Sequence, residues 1–379
     1  MIAKPPAYAA SLCCGRAKVI DPNPNIAAMA AYALPDISAP GDAPAVVLAQ
    51  NEHPFPPSDN IRAAVEAALG QGNLYPDADW RELRTAIAAV HHLKQDQILC
   101  GSGSMELMLV LVMAYLSPQN RILVTEYGYL FMRTLAQLVG ATIDIASEKD
   151  YRVDIDAMLG AVHADTKLVF VVNPGNPSGS VIHNDEIRRL RDGLPDEVIL
   201  LVDEAYAEFV DSDFHDPLFD LVDRGNTCVT RTFSKVYGLA GMRVGWGLFP
   251  DHIRDNMRKV LNPNNVSLLS QVAACAAMKD QATTGETVRY IAQQRVNLSE
   301  NITTLGLSVV PGQTNFILVD FNTPKRAESA FDFLRKRTIV VRPMGGYRLP
   351  ACLRITIGRE RQMQQTIDAL GAWKGQQNE

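Results

Sequence analysis

The 379-residue sequence has few cysteines, six in all, and none shows CxxC spacing. Cys13, Cys14, Cys100, Cys228, Cys275 and Cys352 are scattered, several in apolar runs where a thiol packs as a small hydrophobe, so neither a disulfide framework nor a zinc site is indicated. The seven histidines form no HExxH pattern, and the neighbours His91 and His92 would point to different faces of any regular element. Positive charge is not in excess: 36 Lys and Arg stand against 42 Asp and Glu, a net charge of -6 with no run of like charges, which argues against a nucleic-acid partner. No stretch reaches the ~18 uninterrupted apolar residues that suggest a membrane span. The opening "MIAKPPAYAASLCCGRAK" has a short apolar run behind Pro5 and Pro6, and Leu12 before Cys13 does not suit an export-signal cleavage site. These absences point to a cytoplasmic protein with a small-molecule partner and no membrane association.

What is present is globular material, 47% hydrophobic and 21% charged, with length for a large core and about two or three domains. From about residue 60 to 275, amphipathic helical segments alternate with "QILCG", "RILVTE", "KLVFVVN", "EVILLVDEA", "NTCVTRTF" and "MRVGWGLF". That alternation predicts an α/β unit around a mostly parallel sheet covered on both faces, with its ligand beyond the carboxyl ends of the strands. The first ~50 residues are rich in Pro and Ala with little periodicity. In the last hundred, helical segments alternate with "NFILVDF", "IVVRP" and "CLRITIG", the pattern of a smaller α+β domain. The expected division is a large domain over 50–275 and a small one built from 1–49 and 276–379.

Several apolar runs end in residues that suit chemistry better than structure. "KLVFVVN" runs into "NPGNPSG", where Pro174 and Pro177 stiffen a loop that carries Asn176. "EVILLVDEAYAEF" presents Asp203 and Tyr206 at a strand end, where an acid is costly unless it meets a cation or caps the following turn. "CGSGSMELMLVLVMAYL" opens an apolar helix on a Gly and Ser turn, a ready phosphate site, to which Ser234 and Arg243 of "TRTFSKVYGLAGMRVGW" could add a hydroxyl and a guanidinium. The same turn, with Glu126 after the next strand, has roughly the layout of a Rossmann dinucleotide site. There, however, Glu106 stands in place of the third glycine, and Asn176, Asp203 and Lys235 are left without a purpose. Together the set calls for a phosphorylated cofactor with a protonated ring nitrogen for Asp203, a phenolic oxygen for Asn176 and Tyr206, and an aldehyde for the Lys235 amine to form a Schiff base. That cofactor is pyridoxal 5'-phosphate. For Lys235 to act as base and acid near neutral pH, its pKa must fall through desolvation and nearby positive charge.

In this order, "NPSG", "DEAY" and "SKVYGLAGMRVGW" resemble the signature of the fold-type I pyridoxal-phosphate aminotransferases, and "NEHP", "NLYPDADWRELR" and "LPACLRITIG" narrow the resemblance to the histidinol-phosphate aminotransferase group. The similarity runs from about residue 30 to the C-terminus. It implies a homodimer with each active site at the subunit interface, ping-pong exchange between an amino donor and a 2-oxo acid, Tyr75 reaching the cofactor phosphate of the neighbouring subunit, and Ser104, the Met105 backbone, Ser234 and Arg243 holding the phosphate within the subunit. It places Tyr129 over the cofactor ring, although "YGY" stands where the group has "PTY" and Tyr127 is close by.

Strand alternation in "CLRITIG" sets Leu353, Ile355 and Ile357 on one face and turns Arg354 and Thr356 to the other, where a guanidinium suits a substrate carboxylate or phosphate. The resemblance adds Asn51, Arg342 and Tyr32 as substrate contacts, the last two at the phosphate end of histidinol phosphate. Pro343 follows Arg342 where the group more often has an acid. Three rivals share parts of this reading: an aromatic amino-acid aminotransferase, a threonine-phosphate decarboxylase, and a ligand-sensing module. The last lacks room for a DNA-binding domain of ~60 residues.

Overall fold

The computed structural model describes residues 20–30, 38, 44–211 and 217–376. All six apolar runs become strands of one sheet: β1 (Ile98–Gly101), β2 (Arg121–Thr125), β4 (Thr166–Val172), β5 (Ile199–Asp203), β6 (Thr227–Thr232) and β7 (Gly245–Leu248). The seventh strand, β3 (Thr142–Ala146), is not one of those runs. As an edge strand it interleaves apolar residues with Asp144, whose carboxylate accepts from Arg121 Nε of β2 at 2.7 Å.

The sheet order is β1-β7-β6-β5-β4-β2-β3, with β2 to β6 parallel and only β7 running against its neighbours. Every residue of β5 and β6 is buried, as expected of central strands covered on both faces. Because β7 is antiparallel to both β1 and β6, the carboxyl ends of β1, β2, β4, β5 and β6 share one edge of the sheet. Helix α3 (Ser104–Tyr115) starts at that edge and buries Leu107, Met108, Leu111 and Val112 against the sheet. Helix α4 (Asp251–Val260) packs on α3, and helices α1 (Asp59–Ala68), α2 (Arg81–His91) and α5 (Leu268–Lys279) form a group of their own. Ser58 caps α1 by accepting from Ile61 N, and α5 packs on both α1 and α2.

Beyond α6 (Gln281–Thr304) the chain builds a four-stranded antiparallel sheet from β8 (Ser308–Val310), β9 (Phe316–Asp320), β10 (Arg342–Pro343) and β11 (Cys352–Thr356), in the order β8-β9-β11-β10. Helices α6 and α7 (Pro324–Lys336) both pack on α8 (Glu360–Gln376). "IVVRP" does not form the single strand its pattern suggests. Ile339 and Val340 pair in parallel with Val46 and Val47, while Arg342 and Pro343 pair with β11, and Pro343, having no N–H, sits on the edge strand. The short pairing with Val46 and Val47 carries the following residues, Ala49 to Asn51, across to the carboxyl edge of the large sheet.

Candidate active site

A cavity of about 480 Å³ opens at that edge. Its walls are made at the ends of five strands: Gly103 to Met105 after β1, Tyr129 after β2, Asn176 after β4, Asp203, Ala205 and Tyr206 at the end of β5, and Thr232, Ser234 and Lys235 at the end of β6. Asn51, Arg243, Arg342, Tyr347 and Arg354 complete it. The structure thus brings Lys235, Asp203, Tyr206, Ser104, Met105, Tyr129, Asn176, Ser234, Arg243, Arg354, Arg342 and Asn51 to one place. Tyr75 is not among them; it is 86% exposed, far more than a core aromatic. Tyr32 lies outside the described residues.

One end of the cavity is an anion cradle. The amide end of α3 opens at Ser104 after Gly103, which has a φ of 81° that favours glycine. A Cβ on Gly245 would fall 2.4 Å from Ser104 N, so the close approach of β7 to this turn requires glycine. The Arg243 guanidinium reaches the Ser234 hydroxyl at 3.5 Å and crowds Gly103, where a Cβ would stand 2.7 Å from Nη2. Arg243 holds a φ of 49°, a costly backbone for a residue other than glycine and one that clusters at functional sites. Glu106, the residue that spoils a dinucleotide fingerprint, turns back to accept from Ser102 N at 2.6 Å and Asn265 Nδ2 at 2.7 Å. Helix amides, a hydroxyl and a guanidinium around one space fit a phosphate group.

Deeper in lies Asp203, 4% exposed, which accepts from the Thr230 hydroxyl at 3.1 Å and forms no salt bridge among the described residues. Burial pushes its pKa up to about 7, against the pull of the Thr230 hydroxyl and the Ala205 amide. A buried acid held without a cation fits the protonated ring nitrogen of pyridoxal phosphate. Tyr206 receives a hydrogen bond from Asn51 Nδ2 at 2.9 Å, and burial raises its pKa to about 12. Asn176 Oδ1 accepts from Arg354 Nη1 at 2.7 Å.

The Lys235 amine donates to the carbonyls of Asn51, at 3.1 Å, and Gln50, at 3.3 Å. Burial first, then the positive charges of Arg354 and Arg243, bring its pKa down to about 8, so a useful share is neutral near physiological pH. Arg354 projects from β11 on the side opposite Leu353 and Ile355, donates to Ala49 O at 3.0 Å, and leaves a buried Nε with no partner. Arg342 pairs with it in register across β10 and β11, which sets two guanidinium groups on the same wall.

Between the two tyrosine candidates the geometry is clear. Tyr129 lines the cavity, its hydroxyl 3.5 Å from Met105 Sδ, whereas Tyr127 packs on Tyr151 with ring centroids 6.0 Å apart, away from the cavity. Sequence reasoning missed Tyr347, Thr230 and the carbonyls of Gln50 and Asn51. For Thr230 a signal existed, since alternation in "TCVTRT" puts it on the same face as Thr232. Nothing in "GGYRLP" marks Tyr347.

The chain belongs to the class I and II aminotransferase family, whose pattern it matches over residues 43–370. Among its relatives, the histidinol-phosphate aminotransferase of Ruegeria pomeroyi is 39% identical over 353 residues, spanning 93% of this chain and 98% of that protein. That of Rhodospirillum centenum is 40% identical over 354 residues, spanning 93% and 98%. The crystal structure of histidinol-phosphate aminotransferase from Sinorhizobium meliloti in complex with pyridoxal-5'-phosphate superposes with a TM-score of 0.87 at 27% identity, covering 94% of this chain and 98% of that one. The fold is therefore that of the fold-type I aminotransferases, as the motifs predict.

Proposed function

We propose that the protein transfers an amino group between L-histidinol phosphate and 2-oxoglutarate, with pyridoxal 5'-phosphate as its cofactor. The observation that carries this is the convergence of a neutralisable lysine, a buried acid without a cation and an anion cradle on one cavity. When bound, the cofactor supplies a carbonyl carbon conjugated to an electron-withdrawing ring.

The protein's own groups do the rest. Ser104 N, Ser234 Oγ and Arg243 would hold the phosphate, and Asp203 would meet the ring nitrogen. Asn176 and Tyr206 would donate to the phenolic oxygen, and Tyr129 would lie against the ring. Lys235 would take the proton from the amine-bearing carbon of the donor as a base and, in the return half-reaction, would give a proton to the corresponding carbon of the acceptor as an acid, with the cofactor's carbonyl carbon as the site that takes up and gives back the proton between the two. Its fallen pKa matches that two-way duty. Arg354 and Arg342 would face the anionic ends of the two substrates, a carboxylate on one and a phosphate on the other, with Asn51 alongside.

The separate seven-stranded and four-stranded sheets support a large domain over 50–275 and a small one from 1–49 and 276–379, with the cavity between them. The exposure of Tyr75 supports a homodimer in which Tyr75 of the partner subunit reaches the phosphate. No helix among the described residues is long and apolar enough to cross a membrane, and we place the enzyme in the cytoplasm.

The test is a visible absorption titration of the cofactor-loaded protein with L-histidinol phosphate, followed by 2-oxoglutarate. Loss of the yellow band and its return with the keto acid is the expected result. A yellow protein indifferent to histidinol phosphate would overturn the substrate assignment, and an aromatic amino acid, or threonine phosphate with release of carbon dioxide, would be titrated next.

A further inference from the structure

Behind the cavity wall, Thr230 stands directly beside Asp203: the two are register partners on the adjacent parallel strands β5 and β6. Thr230 is fully buried and is not part of the cavity lining, so it touches neither substrate nor cofactor. Its hydroxyl is turned to Asp203 Oδ1 at 3.1 Å rather than back to its own strand. Thr230 is one of three threonines that β6 buries, and it is the one in register with Asp203. A valine would occupy the same volume without a polar atom to satisfy. The charged or titratable groups around Asp203 are Lys235 and Tyr206 on the cavity side and Glu204, the next residue along the strand. Of these, Glu204 works against a charge on Asp203 and Lys235 works for it.

We propose that Thr230 is a positioning residue that fixes the orientation of the Asp203 carboxyl group and favours its ionised form, thereby setting the pH above which the site accepts a cationic ring nitrogen. A hydrogen bond from a neutral donor stabilises the carboxylate, and in a dry site it is worth more than in water. The inference rests on the assignment of Asp203 to the cofactor nitrogen, and two measurements separate the failure of one from the failure of the other.

The first needs no cofactor. The carboxyl infrared band of Asp203, isolated by subtracting the spectrum of Asp203→Asn, is followed against pH in the ligand-free protein. Thr230→Val is expected to move the midpoint up by about one pH unit, a tenfold change in the ionisation equilibrium, and Thr230→Ser to restore it. The second follows cofactor affinity by fluorescence quenching between pH 5 and 8. The limb over which affinity rises with pH is expected to move up by the same amount in Thr230→Val and to return in Thr230→Ser.

An unmoved infrared midpoint in a folded Thr230→Val protein would overturn the positioning role. A moved midpoint with an unmoved affinity limb would instead overturn the pairing of Asp203 with the ring nitrogen. Uniform loss of affinity at every pH, with an unmoved midpoint, would reduce Thr230 to packing.

Discussion

Asp203 and Glu204 are adjacent in the chain, equally buried at 4% and 3% exposure, and opposite in circumstance. Strand alternation sends them to opposite faces of the large sheet. On its face, Glu204 receives two hydrogen bonds from Arg231 on the next strand, at 2.7 and 2.9 Å; that guanidinium lies 4.8 Å from the Phe219 ring centroid, with Glu208 3.8 Å away. The charge is closed within the protein. On the other face Asp203 has a hydroxyl, an amide and an open cavity. A buried charge completed by the fold is scaffold, whereas one left incomplete awaits a ligand.

Breaking the reactive side of this contrast should have the largest effect. Lys235→Ala is expected to lower turnover by about a thousandfold or more while the far-ultraviolet spectrum and thermal midpoint stay close to wild type. An active, folded Lys235→Ala protein would remove the base from the account. Next comes the pair itself. Asp203→Asn should cost about a hundredfold or more in turnover with little loss of stability, because it removes a buried carboxyl group that no salt bridge among the described residues holds. Glu204→Gln should do the reverse, destabilising the fold by about 3 kcal/mol in denaturant titration while leaving the cavity chemistry in place. That figure sits at the low end for a broken buried pair because Glu208 remains near Arg231. Equal effects of the two substitutions on stability would erase the distinction.

Arg354→Lys sharpens the substrate side. A point charge cannot bond Ala49 O and Asn176 Oδ1 while presenting a fork to a carboxylate, so KM for the keto acid should rise about tenfold in steady-state assays. The smallest effect is in the pH dependence of stability. The pKa of Asp203 in the folded protein lies above its ordinary 3.8, at about 7, so between those values the folded form holds a proton that the unfolded chain has lost, and stability falls as pH rises. Lys235, lowered from 10.5 to about 8, does the opposite: above about 8 the unfolded chain holds the extra proton, and stability rises towards 10.5. Thermal midpoints of the ligand-free protein should follow both slopes. Glu208, also raised to about 7 by burial, shares the lower window, so Asp203→Asn should flatten that slope in part rather than abolish it.

The same contrast governs what the amino-acid sequence alone discloses. Six of the seven strands of the large sheet were legible as short, mainly apolar runs because nearly all of their residues are buried; the strand Thr142–Ala146 was not, since Asp144 interrupts it and Thr142 and Ile145 are exposed. Asp203 could be singled out because an acid at the end of such a run needs a reason. Tyr347 could not, because it reaches the cavity through the turn at Gly345–Tyr347, whose placement depends on the pairing of β10 and β11 rather than on any local pattern. That Tyr129 lines the cavity while Tyr127 packs on Tyr151 was likewise not legible, because the Tyr127–Tyr151 contact joins side chains 24 positions apart.

The most direct test of the central claim is to load the protein with pyridoxal 5'-phosphate, reduce it with borohydride and map the modified peptide by mass spectrometry. The cofactor mass is expected on Lys235 in wild type, with no label at any lysine in Lys235→Ala. Stable labelling of a different lysine, or of none in the wild-type protein, would contradict it.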